Sequence, residues 1–436
     1  MNYSPVKTIF LFFLGLIIIG SLLLSLPVSR SDEFDFSFLN NLFTSVSAVC
    51  VTGLEVVAIG EFYSFFGQTV ILILIQVGGL GYMLVSTVVA LLIGKISLKD
   101  RLILKEIFDV SSFDGLKKIT LKALTFILVI ETAGAAVLTS IFLKEYSFFK
   151  ALYLGIFHSV SGFCNAGFSP FANSLENYSS SPVLLYTVAV MVILGGLGFF
   201  VIVDLYDHFK NKTRLSFHSK VVLFMTAVIM AVSFLFFFFY GQTSFMNARE
   251  GIGYAINNSF FQAVSSRTAG FNSVPVEWFD EFSEMFLIFL MFIGAAPGSA
   301  SGGLKITTLV LVFIFVKGVI KSEDSFVLFN RTIPDDLIKK ALVIFVIFIA
   351  VATFISMMLV FLEDGMRTID IAFEAASAVG TVGLSKGVTT GLSVYGKIFV
   401  IIAMIFGRLG ILMLLMSMLD VGYKNVKYPE ARILVG

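Results

Sequence analysis

Apolar and polar positions alternate along this chain in one order that recurs four times. Each unit has a long apolar segment, a shorter segment rich in Ser, Ala and Phe, a turn centred on glycine, and a second long apolar segment. Apolar runs of about 18 residues or more predict membrane-spanning helices, and shorter ones do not reach that length. The pattern predicts an all-α polytopic membrane protein, with eight transmembrane helices and four re-entrant helices around a central axis.

The repeat sets the predicted domain boundaries. We divide the chain into residues 1–110, 111–216, 217–332 and 333–436, the last including a C-terminal tail. The first apolar segment, from Ile9 to Leu26, reaches spanning length without a small-residue cleavage site, so we interpret it as a retained helix.

The four glycine turns are the first candidate site. They are Val51-Thr52-Gly53-Leu54, Asn165-Ala166-Gly167-Phe168, Thr268-Ala269-Gly270-Phe271 and Thr381-Val382-Gly383-Leu384. Irregular backbone at membrane depth is tolerated where it is buried in protein or lines a water-filled cavity. Four such turns around one axis would present backbone carbonyl oxygens that can replace the hydration shell of a cation. We therefore predict that the first three residues of each turn form an ion filter, with helix capping by ordinary Gly loops as the alternative.

The third turn departs from the other three in its spacing. Ser47, Ser161 and Ser377 precede their glycines by six residues, whereas Ser265 precedes Gly270 by five. The third quarter of the filter is therefore not expected to superimpose on the others.

A second motif lies in the later apolar segment of each unit. Its four copies are Gly78-Gly79-Leu80-Gly81, Gly195-Gly196-Leu197-Gly198, Gly302-Gly303-Leu304-Lys305 and Gly407-Arg408-Leu409-Gly410. Two motifs in one order, four times, indicate a tandem repeat.

The third copy follows a run of small residues inside an apolar segment, in the stretch FIGAAPGSASGGLKIT of residues 292–307. Pro297 forbids a continuous helix, and Gly and Ser permit several backbone states. We predict a movable gate at Gly294, Ala295, Ala296, Pro297, Gly298, Ser299, Ala300, Ser301, Gly302 and Gly303; the alternative is a passive hinge.

Two cations stand where the other copies have glycine. A charge near the bilayer centre costs on the order of 3 kcal/mol and should face a cavity or a partner. Arg408 is predicted to hold the small-residue loop shut or to repel a permeating cation, with an ion pair to Glu131 as the alternative. Lys305 either belongs to the gate or extends toward the cytoplasm.

Composition excludes a soluble domain, since 58% of residues are hydrophobic, 14% are charged, and the mean hydropathy is +0.97. Most of the 30 basic residues fall in one set of loops, which by the positive-inside rule is cytoplasmic and includes both termini. Three scattered histidines give no metal-ligand spacing, and two cysteines allow at most one disulfide bond. His158 is interpreted as a bonded core histidine. No nucleotide-binding or nucleic-acid-binding pattern is found, and no organic cofactor is expected.

Taken with these motifs, the chain resembles the Trk/Ktr/HKT superfamily of potassium transporters, and most of all its KtrB branch. The resemblance implies four M1–pore helix–M2 units around a central pore and K⁺ uptake across the plasma membrane. It also implies a homodimer and a cytosolic ring of KtrA-like, nucleotide-binding RCK-domain regulators. Such a partner would contact the basic loops at Lys95 to Lys122 and Lys210 to Lys220, and the alternative is that these loops only set the membrane topology.

Other functions remain open at this point. The sequence does not distinguish K⁺ from Na⁺, because carbonyl geometry decides that choice. A secondary carrier would need inverted repeats and a midplane substrate site, whereas these repeats are parallel. The channel-like subunit of an ATP-driven K⁺ pump would carry additional flanking spans. An enzyme would need a nucleophile–base pair or a metal cluster, and neither is found in the sequence.

Overall fold

The computed structural model describes residues 5–31, 36–93, 113–240, 251–323 and 325–410. These residues are mainly helical, and their two short strands, β1 (Val327–Leu328) and β2 (Arg331–Thr332), form an antiparallel hairpin. The predicted boundary at residue 110 and the C-terminal tail beyond residue 410 lie outside the described residues.

The helices follow the predicted order of long and short segments. In chain order they are α1 (Pro5–Leu24), α2 (Phe38–Cys50), α3 (Ile59–Phe62), α4 (Phe65–Ile93), α5 (Phe113–Phe142), α6 (Phe148–Phe163), α7 (Pro182–Leu197), α8 (Phe199–Asn211), α9 (Phe217–Phe239), α10 (Gly251–Thr268), α11 (Glu281–Phe292), α12 (Ile306–Ile320), α13 (Asp335–Leu362), α14 (Thr368–Gly380), α15 (Val388–Gly391) and α16 (Val394–Leu409). Three 3₁₀ turns lie at Pro27–Ser29, Glu176–Tyr178 and Val276–Trp278.

Short polar side chains begin several of these helices. The side chains of Ser37, Ser216, Asp280 and Ser393 each accept a hydrogen bond from a backbone N–H in the first turn of α2, α9, α11 and α16. These caps satisfy N–H groups that have no partner inside the helix, so they fix where each apolar segment starts.

The described residues contain several apolar helices, in keeping with the predicted membrane protein. Within the described ranges, three helices are long and apolar enough to cross a membrane: Thr120–Phe142, Phe217–Phe239 and Asp335–Leu362. The pair α7 and α8, bent by 99°, is a fourth if it is counted as one span.

The glycine motif explains why the second long segments are not single straight helices. α4 bends at Gly81 (φ 70°), α7 and α8 meet at Gly198 (φ 88°), and α16 ends at Gly410 (φ 79°). Positive φ is accessible to glycine and rare for other residues, so the last position of the motif redirects the chain. In the third copy this position is Lys305, and the turn with positive φ lies at Gly303 (φ 68°) instead.

The short helices form the interior of the molecule. All side chains from Phe43 to Cys50 in α2 and from Phe373 to Gly380 in α14 are buried. The long helices instead expose large apolar side chains, such as Leu22 and Phe361, as expected for a surface in contact with lipid. The short helices therefore carry their turns into a protein-lined centre.

Candidate functional site

The four glycine turns lie against one another in a closed ring. A Cβ atom placed on each glycine would meet a backbone carbonyl oxygen of the next turn: Gly53 that of Ala166, Gly167 that of Ala269, Gly270 that of Val382, and Gly383 that of Thr52. For Gly167 the separation from the Ala269 oxygen would be 2.6 Å. The carbonyl of the residue before each glycine thus packs on a neighbouring turn, and a side chain at the glycine has no room.

The backbone conformation distinguishes the third turn from the others. Val51, Asn165 and Thr381 adopt left-handed conformations, with φ of 55°, 58° and 51°. α10 instead continues through Thr268 without a left-handed residue. The third turn has no left-handed residue between its helix and its glycine, which accounts for the shorter spacing from Ser265 to Gly270. The Ala269 carbonyl nevertheless faces Gly167 in the ring.

Each short helix holds its turn through one serine hydroxyl. Ser47 and Ser377 accept hydrogen bonds from the N–H groups of Gly53 (3.1 Å) and Gly383 (3.0 Å), and Ser161 and Ser265 donate to the carbonyls of Phe168 (2.8 Å) and Phe271 (2.6 Å). The same serine position therefore stabilises all four turns, by two different bonds.

The small-residue segment is a loop between two apolar helices, α11 and α12. α11 ends at Phe292 and α12 begins at Ile306. At the neck of the loop, the Gly294 N–H donates to the Leu304 carbonyl (2.8 Å) and the Ile306 N–H to the Ala295 carbonyl (3.1 Å). The interruption predicted from the sequence is present, and its two ends are tied together.

The loop rests on the glycine motifs of the second and fourth units. The N–H groups of Ala296, Ala300 and Gly303 donate to the carbonyls of Gly196 (3.1 Å), Gly195 (3.2 Å) and Gly407 (3.2 Å). On its other side it borders the ring, since a Cβ on Gly303 would lie 2.9 Å from the carbonyl oxygen of Gly380, directly before the fourth turn. The predicted filter and gate residues are thus brought together.

Arg408 bridges the loop to the first unit. Its guanidinium donates to the carbonyl oxygens of Ala300 in the loop and of Gly78 in the first glycine motif. Glu131, the alternative partner, instead accepts hydrogen bonds from Gln76 at 3.1 and 3.3 Å. The Gly78 contact could not be predicted from the sequence, because a backbone acceptor has no side-chain signature.

Lys305 turns back onto the loop. Its ammonium donates to the carbonyls of Ser301 (2.7 Å) and Gly302 (3.4 Å). These bonds tie the side chain to the last turn of the loop.

Three further side chains near the ring are structural. His158 is fully buried, with Nδ1 bonded to the Leu154 carbonyl (2.8 Å) and Nε2 to the Ser169 hydroxyl (2.9 Å). Cys50 and Cys164 are buried free thiols beside the turns. The interpretation of His158 as a bonded core histidine is confirmed.

In the loop between α6 and α7, the carboxyl group of Glu176 has a raised pKa. Partial burial, together with the nearby negative charge of Glu277, raises the pKa of Glu176 to about 7. Both effects disfavour the ionised form. Glu176 therefore titrates near neutral pH.

Comparison with known proteins gives consistent matches over the whole chain. The profile of the TrkH family, described as a cation transport protein, matches residues 8–420. The potassium/sodium uptake protein NtpJ of Enterococcus hirae is 36% identical, covering 99% of this chain and 97% of that protein. The Ktr system potassium uptake protein B of Bacillus subtilis is 33% identical, covering 100% and 98%.

Among solved structures, the potassium transporter TrkH from Vibrio parahaemolyticus matches with a TM-score of 0.74. The match covers 96% of this chain and 86% of that chain at 19% sequence identity. The likeness establishes a shared fold.

Proposed function

Because the chain belongs to the TrkH family of cation transport proteins, we propose that it is the multi-pass membrane subunit of a K⁺ uptake system. The family is one of transport proteins and not of enzymes. In this proposal K⁺ passes along the axis of the ring, coordinated by carbonyls of the four turns, and the loop from Gly294 to Gly303 gates the path. The four predicted repeats, with both termini in the cytoplasm of a plasma-membrane protein, belong to the same proposal.

The closed ring is the observation that carries the filter proposal. A dehydrated monovalent cation needs several oxygen ligands at once, and rings of backbone carbonyls supply them without side-chain charge. The ring is built from the carbonyls of Thr52, Ala166, Ala269 and Val382. The short helices also direct their negative C-terminal ends toward it, which favours a cation.

The gate proposal rests on the bonds that seat the loop. Backbone hydrogen bonds to Gly195, Gly196 and Gly407, together with the Arg408 contact to Ala300, hold it against the ring. Because the loop consists of small residues, withdrawing it breaks few side-chain contacts. We assign the bonded arrangement to the closed state, with Lys305 as part of the gate.

Na⁺ is the second candidate ion. The printed name of the Enterococcus hirae relative includes sodium as well as potassium. Transport of Na⁺, or dependence on it, is therefore tested alongside K⁺. A homodimer and a nucleotide-binding RCK-type regulatory ring are proposed as partners because the Bacillus subtilis relative is named as part of a Ktr system.

The test is cation uptake in cells that lack their own K⁺ transport. Wild type is expected to restore growth at low K⁺. Gly270→Ser is expected to weaken this growth at low K⁺, because Gly270 has a φ of 72° and faces the Val382 carbonyl. Deletion of residues 296–301 is expected to raise passive K⁺ leak.

Gly253→Ser is the matched control, since it lies in α10 with open space around its Cα. Uptake that is equal in wild type, Gly270→Ser and the loop deletion would refute the pore. The four turns would then be ordinary helix caps.

A further inference from the structure

A buried charge cluster lies beside the fourth turn. The ammonium of Lys386, three residues after Gly383, contacts Oε1 of Glu284 and lies 3.0 Å from Oδ1 of Asp370. The side chains of Lys386 and Glu284 are only 7% and 3% exposed, and that of Asp370 is 16% exposed. Charges at such low exposure interact strongly, because water does not screen them.

The cluster joins three elements that meet at the site. Lys386 belongs to the segment that leaves the fourth turn, and Asp370 to the first turn of α14, which enters it. Glu284 belongs to α11, whose far end runs into the small-residue loop. One ammonium therefore connects the fourth turn to the outer half of the broken span.

Neighbouring bonds fix the same segment. Ser385 donates to Oε2 of Glu374 (2.8 Å), and Thr389 donates to Oε1 of the same carboxyl group. Glu374 is fully buried in α14, behind the turn. The path from Gly383 to Thr389 is thus tied to carboxyl groups on two helices.

The other three turns lack this arrangement. The positions equivalent to Lys386, three residues after each glycine, are Val56, Pro170 and Ser273. A charge at this position belongs to the fourth turn alone, so the repeat pattern does not require it.

We propose that Lys386 is a positioning residue. Its contacts with Glu284 and Asp370 hold the fourth turn in the position where the Val382 carbonyl packs on Gly270 and completes the ring. The inference rests on the proposed function, because it assigns a role in K⁺ selectivity to the geometry of that ring. It also makes α11 a fixed support, so that movement of the gate begins after Phe292.

The physical argument concerns what remains when one partner is removed. A buried charge that loses its partner stays uncompensated and seeks another polar group. Since the carboxylates sit on helices and Lys386 on a loop, the loop is the part that moves. Val382 packs on Gly270, and Gly383 packs on the Thr52 carbonyl. Displacement of the fourth turn therefore alters contacts with both neighbouring turns.

The experiment measures the K⁺/Na⁺ permeability ratio of the full-length protein in liposomes. Lys386→Met and Glu284→Gln are each expected to lower the ratio by about tenfold, equivalent to about 1.4 kcal/mol. Lys386→Arg keeps the charge and should retain the ratio of wild type. Arg367→Met is the matched control, because Arg367 binds the same Asp370 through a side chain that is 58% exposed.

Each outcome decides the inference. An unchanged ratio in folded Lys386→Met overturns it, and so does a lower folded yield with an unchanged ratio, which would mean a role in folding alone. If Lys386→Met does not fold, Glu284→Gln carries the test, since it keeps the ammonium bonded to Asp370. A wild-type protein without K⁺-selective flux would instead reject the proposed function itself.

Discussion

Replacing Arg408 with Met should convert a closed path into a leaking one. The substitution removes a guanidinium that donates to Ala300 in the loop and to Gly78 in the first unit, and it keeps an apolar side chain of similar length. Withdrawal of the loop breaks the contact to Ala300, whereas the contact to Gly78 does not depend on the loop. In the proposed gate, Arg408 should therefore stabilise the closed state by about the free energy of the contact to Ala300.

The size of the effect follows from that one bond. A hydrogen bond from a charged donor contributes about 1.5–3 kcal/mol. Its loss shifts the ratio of open to closed protein by about 10- to 150-fold. The backbone bonds from the loop to Gly195, Gly196 and Gly407 remain, so most molecules should still fold with the loop seated.

Passive K⁺ efflux from liposomes containing the purified protein measures this shift. We expect the rate to rise by at least about tenfold in Arg408→Met. Arg408→Lys keeps the charge but reaches one carbonyl at a time. Its efflux rate should lie between those of Arg408→Met and wild type. Efflux at the wild-type rate, in a variant that folds normally, would show that Arg408 does not hold the loop.

Two further predictions concern the ring and Glu176. Gly167→Ala should reduce K⁺ uptake and lower the unfolding temperature, because a left-handed conformation costs a non-glycine residue about 1–2 kcal/mol and the new Cβ would lie 2.6 Å from the Ala269 oxygen. Gly15→Ala is the control, since a Cβ at Gly15 would lie in open space. Equal unfolding temperatures for the two variants would contradict the prediction. Glu176 has a pKa raised to about 7, so its contribution to stability is present below the pKa of about 4.3 in the unfolded chain and is lost as the pH rises through 7. Glu176→Gln should therefore flatten the fall in melting temperature of the detergent-solubilised protein between about pH 4.3 and pH 7, and an unchanged slope over that range would refute the assignment.

The local features of the fold could be predicted from the amino-acid sequence. The period of apolar segments predicted long and short helices, since each depends only on residues near one another in the chain. Pro297 and its small neighbours predicted the interruption between α11 and α12. The shorter spacing at Ser265 predicted that the third turn would differ, and the absence of a left-handed residue there gives the physical form of that difference.

Which of these features contact one another depends on long-range packing. The ring pairs Gly53 with Ala166 and Gly383 with Thr52, contacts that no local pattern encodes. The contact of Arg408 with Gly78 spans 330 residues and uses a backbone acceptor that every residue type offers. The bends at Gly81 and Gly198 likewise depend on backbone conformation that hydropathy does not record.

The charged residues show the same division. The sequence marked Lys305 and Arg408 as cations at membrane depth, but only the packing showed that both point at loop carbonyls. Lys386 and Glu284, 102 residues apart, carried no signal until the fold placed them together. A side chain's chemistry is fixed by its identity, whereas its partner is fixed by the long-range packing that excludes water around it.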